Sequence, residues 1–422
     1  MHDVKDFLPI DKIKLLKQQQ YALFGHSAVK ICHYTKTAIS EGRMCYKFKF
    51  YGINSHQCIQ MTPASNFCNQ ECSFCWRTLG WTPNDYSKMD APKEIVDESK
   101  VWQRKQLSGF GGNSNINQKL FDASKTPQHV AISLTGEPTL YPLLPQLIEA
   151  YHDLHISTFL VSNGSRPEVI EKINPTQLYI SMDALDEKTF LELNRPKDKE
   201  TAWQNLLKTL DVVRNKPCRS VLRMTCVKGI NMHSPEGYAK LIERAQPWFV
   251  EVKGYSWIGF SRYRLKHANT PTHIEVGCFA DEIAKCSGYV KVNEDEESRN
   301  CLLVRSDLAD KSTRIDFKKF FERYDAEKAV RASNGEITAS DHCTCHHADG
   351  IPCSGLTHAV EPINASAEKF DAEGFSNSSC CGEHPAEASE NAFISKSKQA
   401  SAHSSEDAEN SFKELLQIQF KK

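Results

Sequence analysis

The sequence predicts an α/β chain whose strands and helices alternate into an open or complete, TIM-like (β/α) barrel, with a cysteine-bearing segment before it and a disordered tail behind. Three observations lead there. Five short β-branched runs, at residues 129–134, 158–162, 178–182, 220–227 and 249–255, end in small or polar residues and are followed by stretches with helical spacing, such as 144–154 and 203–213. Strands alternating with helices imply parallel βαβ units, and at this length and count a barrel is their natural closure. The chain has 422 residues and 40% hydrophobic content, enough for one large core with appendages. Beyond about residue 330, Ser, Ala, Glu, His and Asn dominate, and hydrophobic periodicity stops until the last dozen residues. The expected division is an extension over 1–60, a barrel over 61–330 and a mostly disordered tail over 331–422.

The extension and the start of the barrel hold six cysteines between positions 32 and 75. Cys68, Cys72 and Cys75 are spaced three residues and then two residues apart. Three soft thiolates that close together can cap three corners of a [4Fe–4S] cube and leave one iron open to a chelating small molecule. Cys32, Cys45 and Cys58 have twelve residues between neighbours and suggest a second three-thiolate site built from separate turns. Zinc is the alternative for either group, with His33 and His56 nearby, but it favours a fourth ligand and paired spacing. Disulfides would need an oxidising compartment, which nothing in the sequence suggests.

Neither an apolar segment after the N-terminus nor an 18-residue apolar run is present, so a soluble, cytoplasmic protein without membrane contact is expected. Sixteen cysteines in such a chain point to metal or redox chemistry. Residues 331–422 carry 7 basic against 14 acidic side chains, which leaves a net charge of +6 on the first 330 residues. A mildly basic body suits a polyanionic substrate. The tail adds Cys343-Thr344-Cys345-His346-His347, Cys353 and Cys380-Cys381, either a zinc site or solvent-facing thiols, and residues 411–420 could form an amphipathic turn or two.

Active sites of parallel (β/α) sheets lie at the C-terminal ends of the strands. Here those ends carry Thr135-Gly136-Glu137, Ser162-Asn163-Gly164, Ser181-Met182-Asp183 and the pair Arg223 and Thr225. Taken singly they are ordinary turn residues. A glycine beside a carboxylate, however, allows close approach of a ligand and pairing with an ammonium group.

The Cys68 triad, the aromatic Phe74 before its third cysteine and the Gly136-Glu137 turn resemble the radical S-adenosylmethionine superfamily. A narrower resemblance, over about residues 20–320, is to the tRNA 4-demethylwyosine synthases. It rests on residues 26–32, Cys45-Tyr46-Lys47, Phe50-Tyr51-Gly52-Ile53, Ser55-His56-Gln57-Cys58, Phe74-Cys75-Trp76-Arg77, Val252-Lys253-Gly254-Tyr255 and residues 259–264. It includes the evenly spaced trio, and the chain looks like the short archaeal form without a flavodoxin-like domain.

The resemblance implies two [4Fe–4S] clusters, on Cys68, Cys72 and Cys75 and on Cys32, Cys45 and Cys58, with S-adenosyl-L-methionine bound at the first. It places Phe74 near the adenine and Thr135, Gly136 and Glu137 at the methionyl ammonium, with Asn163, Ser181 and Asp183 as further polar contacts. It implies condensation of 1-methylguanosine, next to the anticodon of phenylalanine tRNA, with two carbons of pyruvate, driven by a 5′-deoxyadenosyl radical. Lys47 would form a Schiff base with pyruvate; on its residues alone it could equally contact phosphate from the exposed side of a strand. Trp76, Arg77, Trp81, Arg262, Tyr263 and Arg264 would contact tRNA, an external flavodoxin or reductase would supply electrons, and a monomer is expected. The rival readings are another radical S-adenosylmethionine enzyme acting on a small molecule or peptide, with the trio as an electron relay, and a non-catalytic zinc protein that binds nucleic acid.

Overall fold

The computed structural model describes residues 1–65, 67–79 and 88–334. Trp81 and the tail cysteines and histidines lie outside the described residues, as do the turns expected over 411–420.

The chain opens with helix α1 (Ile10–Gln18), a hairpin of β1 (Ala22–Phe24) and β2 (Ser27–Val29), then α2 (His33–Glu41) and α3 (Tyr46–Tyr51). The βα repeats follow: β3 (Cys58–Thr62), α4 (Pro92–Ser108), α5 (Gln118–Ser124), β4 (His129–Ile132), α6 (Leu144–His152), β5 (Ser157–Ser162), α7 (Pro167–Lys172) and β6 (Gln177–Ser181). They continue with α8 (Glu187–Leu193), α9 (Ala202–Arg214), β7 (Arg219–Cys226), α10 (Pro235–Ala245) and β8 (Phe249–Gly254). The described chain closes with α11 (His273–Ser287), the hairpin β9 (Val290–Asp295) and β10 (Asn300–Val304), and α12 (Phe317–Ser333).

One ten-stranded sheet results, with β3 to β8 parallel in sequence order. The first hairpin pairs antiparallel to β3, and β10 pairs antiparallel to β8. Six parallel strands with a hairpin at either edge make a partial barrel. The five strands expected from the sequence are β4 to β8, with ends displaced by one or two residues, the usual uncertainty of a frayed end. The central strands are apolar on both faces because helices cover the outside and side chains fill the inside.

The two sides of the sheet are packed differently. Outside, Ile132, Leu147, Leu160, Ile180, Leu206 and Ile242 belong to the large core between the strands and their helices. Inside, Phe159, Tyr179, Val221 and Phe249 meet Tyr46, Phe50 and Tyr51 from α3, which therefore plugs the interior. The segment around Lys47, for which the exposed side of a strand is the alternative reading, is thus a short helix, stopped by Gly52 in the left-handed conformation. Helix α12 continues to Ser333 and packs on α6, where Phe320 and Tyr324 approach the His152 ring edge-on at 5.2 and 5.1 Å.

A candidate active site at the strand ends

All six cysteines line one cavity of about 530 Å³, walled by residues at the C-terminal ends of the parallel strands. Lys47, Phe74, Trp76, Arg77, Thr135, Gly136, Glu137, Asn163 and Ser181 share the wall.

The evenly spaced trio has a structural cause. Cys32 caps the N-terminus of α2, Cys45 caps α3, and Cys58 opens β3, so each twelve-residue interval contains one helix and its return. The Cys45 N–H donates to Ser55 Oγ at 2.8 Å, tying the second cysteine to the turn before the third. Burial pushes the Cys58 thiol up to about 12, a rise that Lys47's charge partly offsets, and burial raises Cys32 as well. Lys47 Nζ lies 4.8 Å from the centroid of the Tyr179 ring and 5.8 Å from that of Phe159. Lys47 is half-buried on the cavity wall, and among the described residues its ammonium donates no hydrogen bond.

The triad sits on a loop fastened from two sides. Glu71 and Ser73 N–H groups donate to the Arg195 and Leu193 carbonyls at 3.0 and 2.8 Å. Arg264 donates to the Ser73 carbonyl at 3.1 Å and to the Cys75 carbonyl. Gly259, with φ +56°, lies so close to the Trp76 carbonyl that a Cβ would collide with it. Burial raises the Cys68 thiol to about 12, Cys72 further, and Cys75 upward. Buried thiols of this kind lose their protons readily only to a positive metal centre. Among the described residues no three His, Cys, Asp or Glu side chains are arranged to hold a single metal ion. The thiols face a common space, not a common point, which suits a cluster of several irons better than one zinc.

Glu137 is 2% exposed, and burial raises its carboxyl. Its Oε1 accepts from Thr139 N–H at 3.1 Å, Thr139 Oγ1 at 2.7 Å and Ser162 Oγ at 2.8 Å, while among the described residues Oε2 accepts only from Asn163 N–H at 2.7 Å. Oε2 therefore keeps a free acceptor position at the cavity. Gly136, with φ +72°, permits this turn because a Cβ would collide with the Ala64 and Phe67 backbone. Asn163 Nδ2 donates to Asn69 Oδ1 at 2.9 Å, beside the triad loop.

Several of the expected contact residues are engaged within the protein or lie outside the cavity lining. Asp183 stands behind the cavity wall, accepting from Thr225 N–H at 2.7 Å and from Asn194 Nδ2, which also approaches Cys72 Sγ at 3.8 Å. Arg77 is turned inward, bonded to the Tyr21 hydroxyl and stacked 3.2 Å over the Trp76 ring, with burial lowering it to about 10. Arg264 faces the triad loop, whereas Arg262 and Tyr263 are exposed outside the cavity.

Sequence reasoning missed a layered interior. On β6, β7 and β8 the residues Ser181, Arg223 and Glu251 stand in register, with Thr225 and Lys253 in the next layer towards the mouth. The signal was there: alternate positions Val221, Arg223, Thr225 and Phe249, Glu251, Lys253 interrupt apolar strands with polar groups on one face. Glu251 is fully buried and accepts from Tyr51 Oη at 2.8 Å and Tyr46 Oη at 3.2 Å. Lys253 donates to the Ser298 carbonyl at 2.9 Å; burial and the Arg223 charge lower it to about 8, against the pull of Glu251.

Comparisons with known proteins agree with this geometry. Residues 62–242 match the radical SAM superfamily and residues 244–306 match wyosine base formation. The S-adenosyl-L-methionine-dependent tRNA 4-demethylwyosine synthase of Pyrococcus horikoshii is 43% identical over 318 residues, covering 73% of this chain and 93% of the relative. The synthase of the same description from Methanocaldococcus jannaschii is 38% identical, covering 70% and 96%. Among solved structures, TYW1 with a lysine–pyruvate adduct bound superposes with a TM-score of 0.67 at 36% identity, over 74% of this chain and 99% of that one. An archaeal TYW1 crystal structure gives 0.63 at 33% identity, over 73% and 100%.

Proposed function

The chain belongs to the S-adenosyl-L-methionine-dependent tRNA 4-demethylwyosine synthase family, radical enzymes of wyosine-base formation, and on that premise we propose that it condenses 1-methylguanosine of phenylalanine tRNA with two carbons of pyruvate. The observation that carries this reading is the shared cavity: both cysteine groups and Lys47 line one space. The family uses S-adenosylmethionine and a [4Fe–4S] cluster. The donor set fits, since three soft, half-buried thiols and a carboxylate lone pair lining the same cavity suit a cluster and an amino-acid ligand. Cys68, Cys72 and Cys75 would hold that cluster, Cys32, Cys45 and Cys58 a second one. When bound, these groups supply the one-electron chemistry that removes a hydrogen atom from the base's N-methyl group, a bond no side chain breaks by proton transfer.

The protein's own groups have separate tasks. Glu137 Oε2, with its remaining lone pair, would accept the methionyl ammonium, and Thr135, Gly136 and Phe74 would line the rest of that ligand. Asn163 and Ser181 would make further polar contacts, and Asp183 would act through Thr225 and Asn194. Lys47 Nζ would attack the pyruvate carbonyl and lose water to give a Schiff base, which the guanine's exocyclic amine later displaces. A lysine–pyruvate adduct is bound in the related TYW1 structure; here Lys47 lies beside the Cys32 trio, whereas Lys253 is already bonded to Ser298. Trp76, 40% exposed at the mouth, and exposed Tyr263 and Arg262 would meet the RNA, with Arg77 holding Trp76 and Arg264 holding the triad loop. The same reading takes electrons from an external flavodoxin or reductase and places the enzyme in the cytoplasm as a monomer. Among the described residues no helix is long and apolar enough to cross a membrane.

The test has two parts. Anaerobically isolated protein should contain about eight irons per chain, two cubes' worth, and labelled pyruvate carbons should enter tRNA bearing 1-methylguanosine. Lys47→Ala should keep its iron yet trap no pyruvate on borohydride reduction, while Lys253→Ala should still trap it. Normal product formation by Lys47→Ala would remove the Schiff-base role, and about four irons would leave the Cys32 trio without its cluster.

A further inference from the structure

Arg223 is a cation in the barrel interior to which no role has yet fallen. It lies in the middle of β7, in register with Ser181 on one side and Glu251 on the other, and its side chain lines the cavity. Two buried carboxylates balance its charge, but neither pairs with it directly. Glu251 is bonded to Tyr51, Tyr46 and Asn300, and Asp183 to Thr225 and Asn194. Among the described residues the guanidinium makes no hydrogen bond and no ion pair; burial weakens its charge, and Tyr46, Glu251 and Asp183 more than restore it. A planar fork of N–H donors, permanently charged, half-buried and unbonded at a cavity wall is matched by a carboxylate, which it can grip through two parallel hydrogen bonds.

The aromatic surroundings say which carboxylate. Arg223 shares its neighbours Tyr46 and Tyr179 with Lys47: Tyr46 is the preceding residue in α3, and Lys47 Nζ lies 4.8 Å from the Tyr179 ring. A 2-oxo acid joined to Lys47 through its carbonyl carries its carboxylate one carbon away, inside the same aromatic enclosure. Glu137, which lines the same cavity, offers the acceptor for an ammonium. We infer that Arg223 binds the carboxylate of the 2-oxo acid held by Lys47 and thereby selects an acid over an uncharged ketone of the same size. This rests on the Schiff-base reading of Lys47. The methionyl carboxylate has the same chemistry and is the competing source.

The experiment uses the full chain with its clusters, wild type and as Arg223→Met and Arg223→Lys. Two probes are trapped with borohydride and read as mass added to the intact protein: pyruvate and hydroxyacetone, which replaces the carboxylate with a hydroxymethyl group. Wild type should prefer pyruvate, and Arg223→Met should lose at least about tenfold of that preference, corresponding to ~1.4 kcal/mol. Arg223→Lys should recover part of it. Equal losses for both probes overturn the assignment, because they report a damaged fold and not lost recognition. A preference unchanged in Arg223→Met, with binding of labelled S-adenosylmethionine weakened instead, also overturns it and moves Arg223 to the methionyl carboxylate. Absence of any pyruvate adduct in wild type sinks the Lys47 reading itself, and this inference with it.

Discussion

At Glu137, burial and hydrogen bonding act in opposite directions on one carboxyl group. An isolated carboxylate at that depth would shed its charge, and burial does raise its carboxyl. Four donors from Thr139, Ser162 and Asn163 offset part of that cost and leave one lone pair unspent. Glu137→Gln should therefore do two kinds of harm: its amide NH2 would face either the Asn163 N–H or the Ser162 and Thr139 donors, and the charge for an ammonium would vanish. S-adenosylmethionine binding, measured with the labelled cofactor, should weaken at least about tenfold while iron content stays constant; unchanged affinity would dismiss the ammonium role. The residue was legible in the sequence because a Gly-Glu pair after a strand is a local pattern. Arg77 and Arg264 were legible only as cations. Their direction, inward to Tyr21 and to the triad loop, depends on neighbours 56 and 189 or more positions away.

At the scale of elements, the informative pieces are those that leave one sequence pattern for another. Tyr46-Lys47-Phe48-Lys49-Phe50-Tyr51 alternates aromatic and basic residues like a strand, yet it forms α3. The reason is tertiary: Glu251 lies in the barrel interior and bonds the hydroxyls of both Tyr46 and Tyr51, the first and last residues of the helix. A helix keeps residues five apart within about 7.5 Å along its axis, where an extended chain would separate them by about 17 Å. Helix α12 has a comparable dependence on α6. His152 is 2% exposed beneath Phe320 and Tyr324, its Nε2 is 2.8 Å from Thr158 Oγ1, and burial lowers it to about 4 against the opposing charge of Asp153. Folded protein thus holds His152 neutral where the unfolded chain, with the ordinary value of 6.5, takes up a proton. Its contribution is fully present above pH 6.5 and is lost as the pH falls towards 4, by about 1.4 kcal/mol per unit from this side chain. Urea unfolding at pH 7 and pH 5 should show the loss, and His152→Gln should be less stable at pH 7 but fall less steeply. Parallel declines in both proteins would assign the acid sensitivity elsewhere.

For the whole molecule, the charge distribution bears on how a large polyanion is received. Residues 1–330 carry a net charge of +6 and residues 331–422 a net of −7. Affinity for the tRNA should fall steeply and linearly as log salt rises, because phosphate contacts release counterions. Removing the Arg262 charge should reduce the slope by about one unit, and a flat salt response would count against a phosphate-bound complex. What the sequence alone determined is short-range: cysteine spacings of three and two, the two-residue and helical periods that mark strands and helices, and the Gly-Glu turn. These are fixed by backbone geometry and ligand chemistry over a few residues, and they specified the fold class and singled out the Cys68, Cys72 and Cys75 triad. Only the tertiary structure decided that Cys32, Cys45, Cys58 and Lys47 share one cavity with Cys68, Cys72 and Cys75, and that Arg223 and Glu251 face inward in register. Convergence of that kind is set by strand register, by the plug that α3 makes and by the curvature of the sheet, all products of packing between residues distant in the chain.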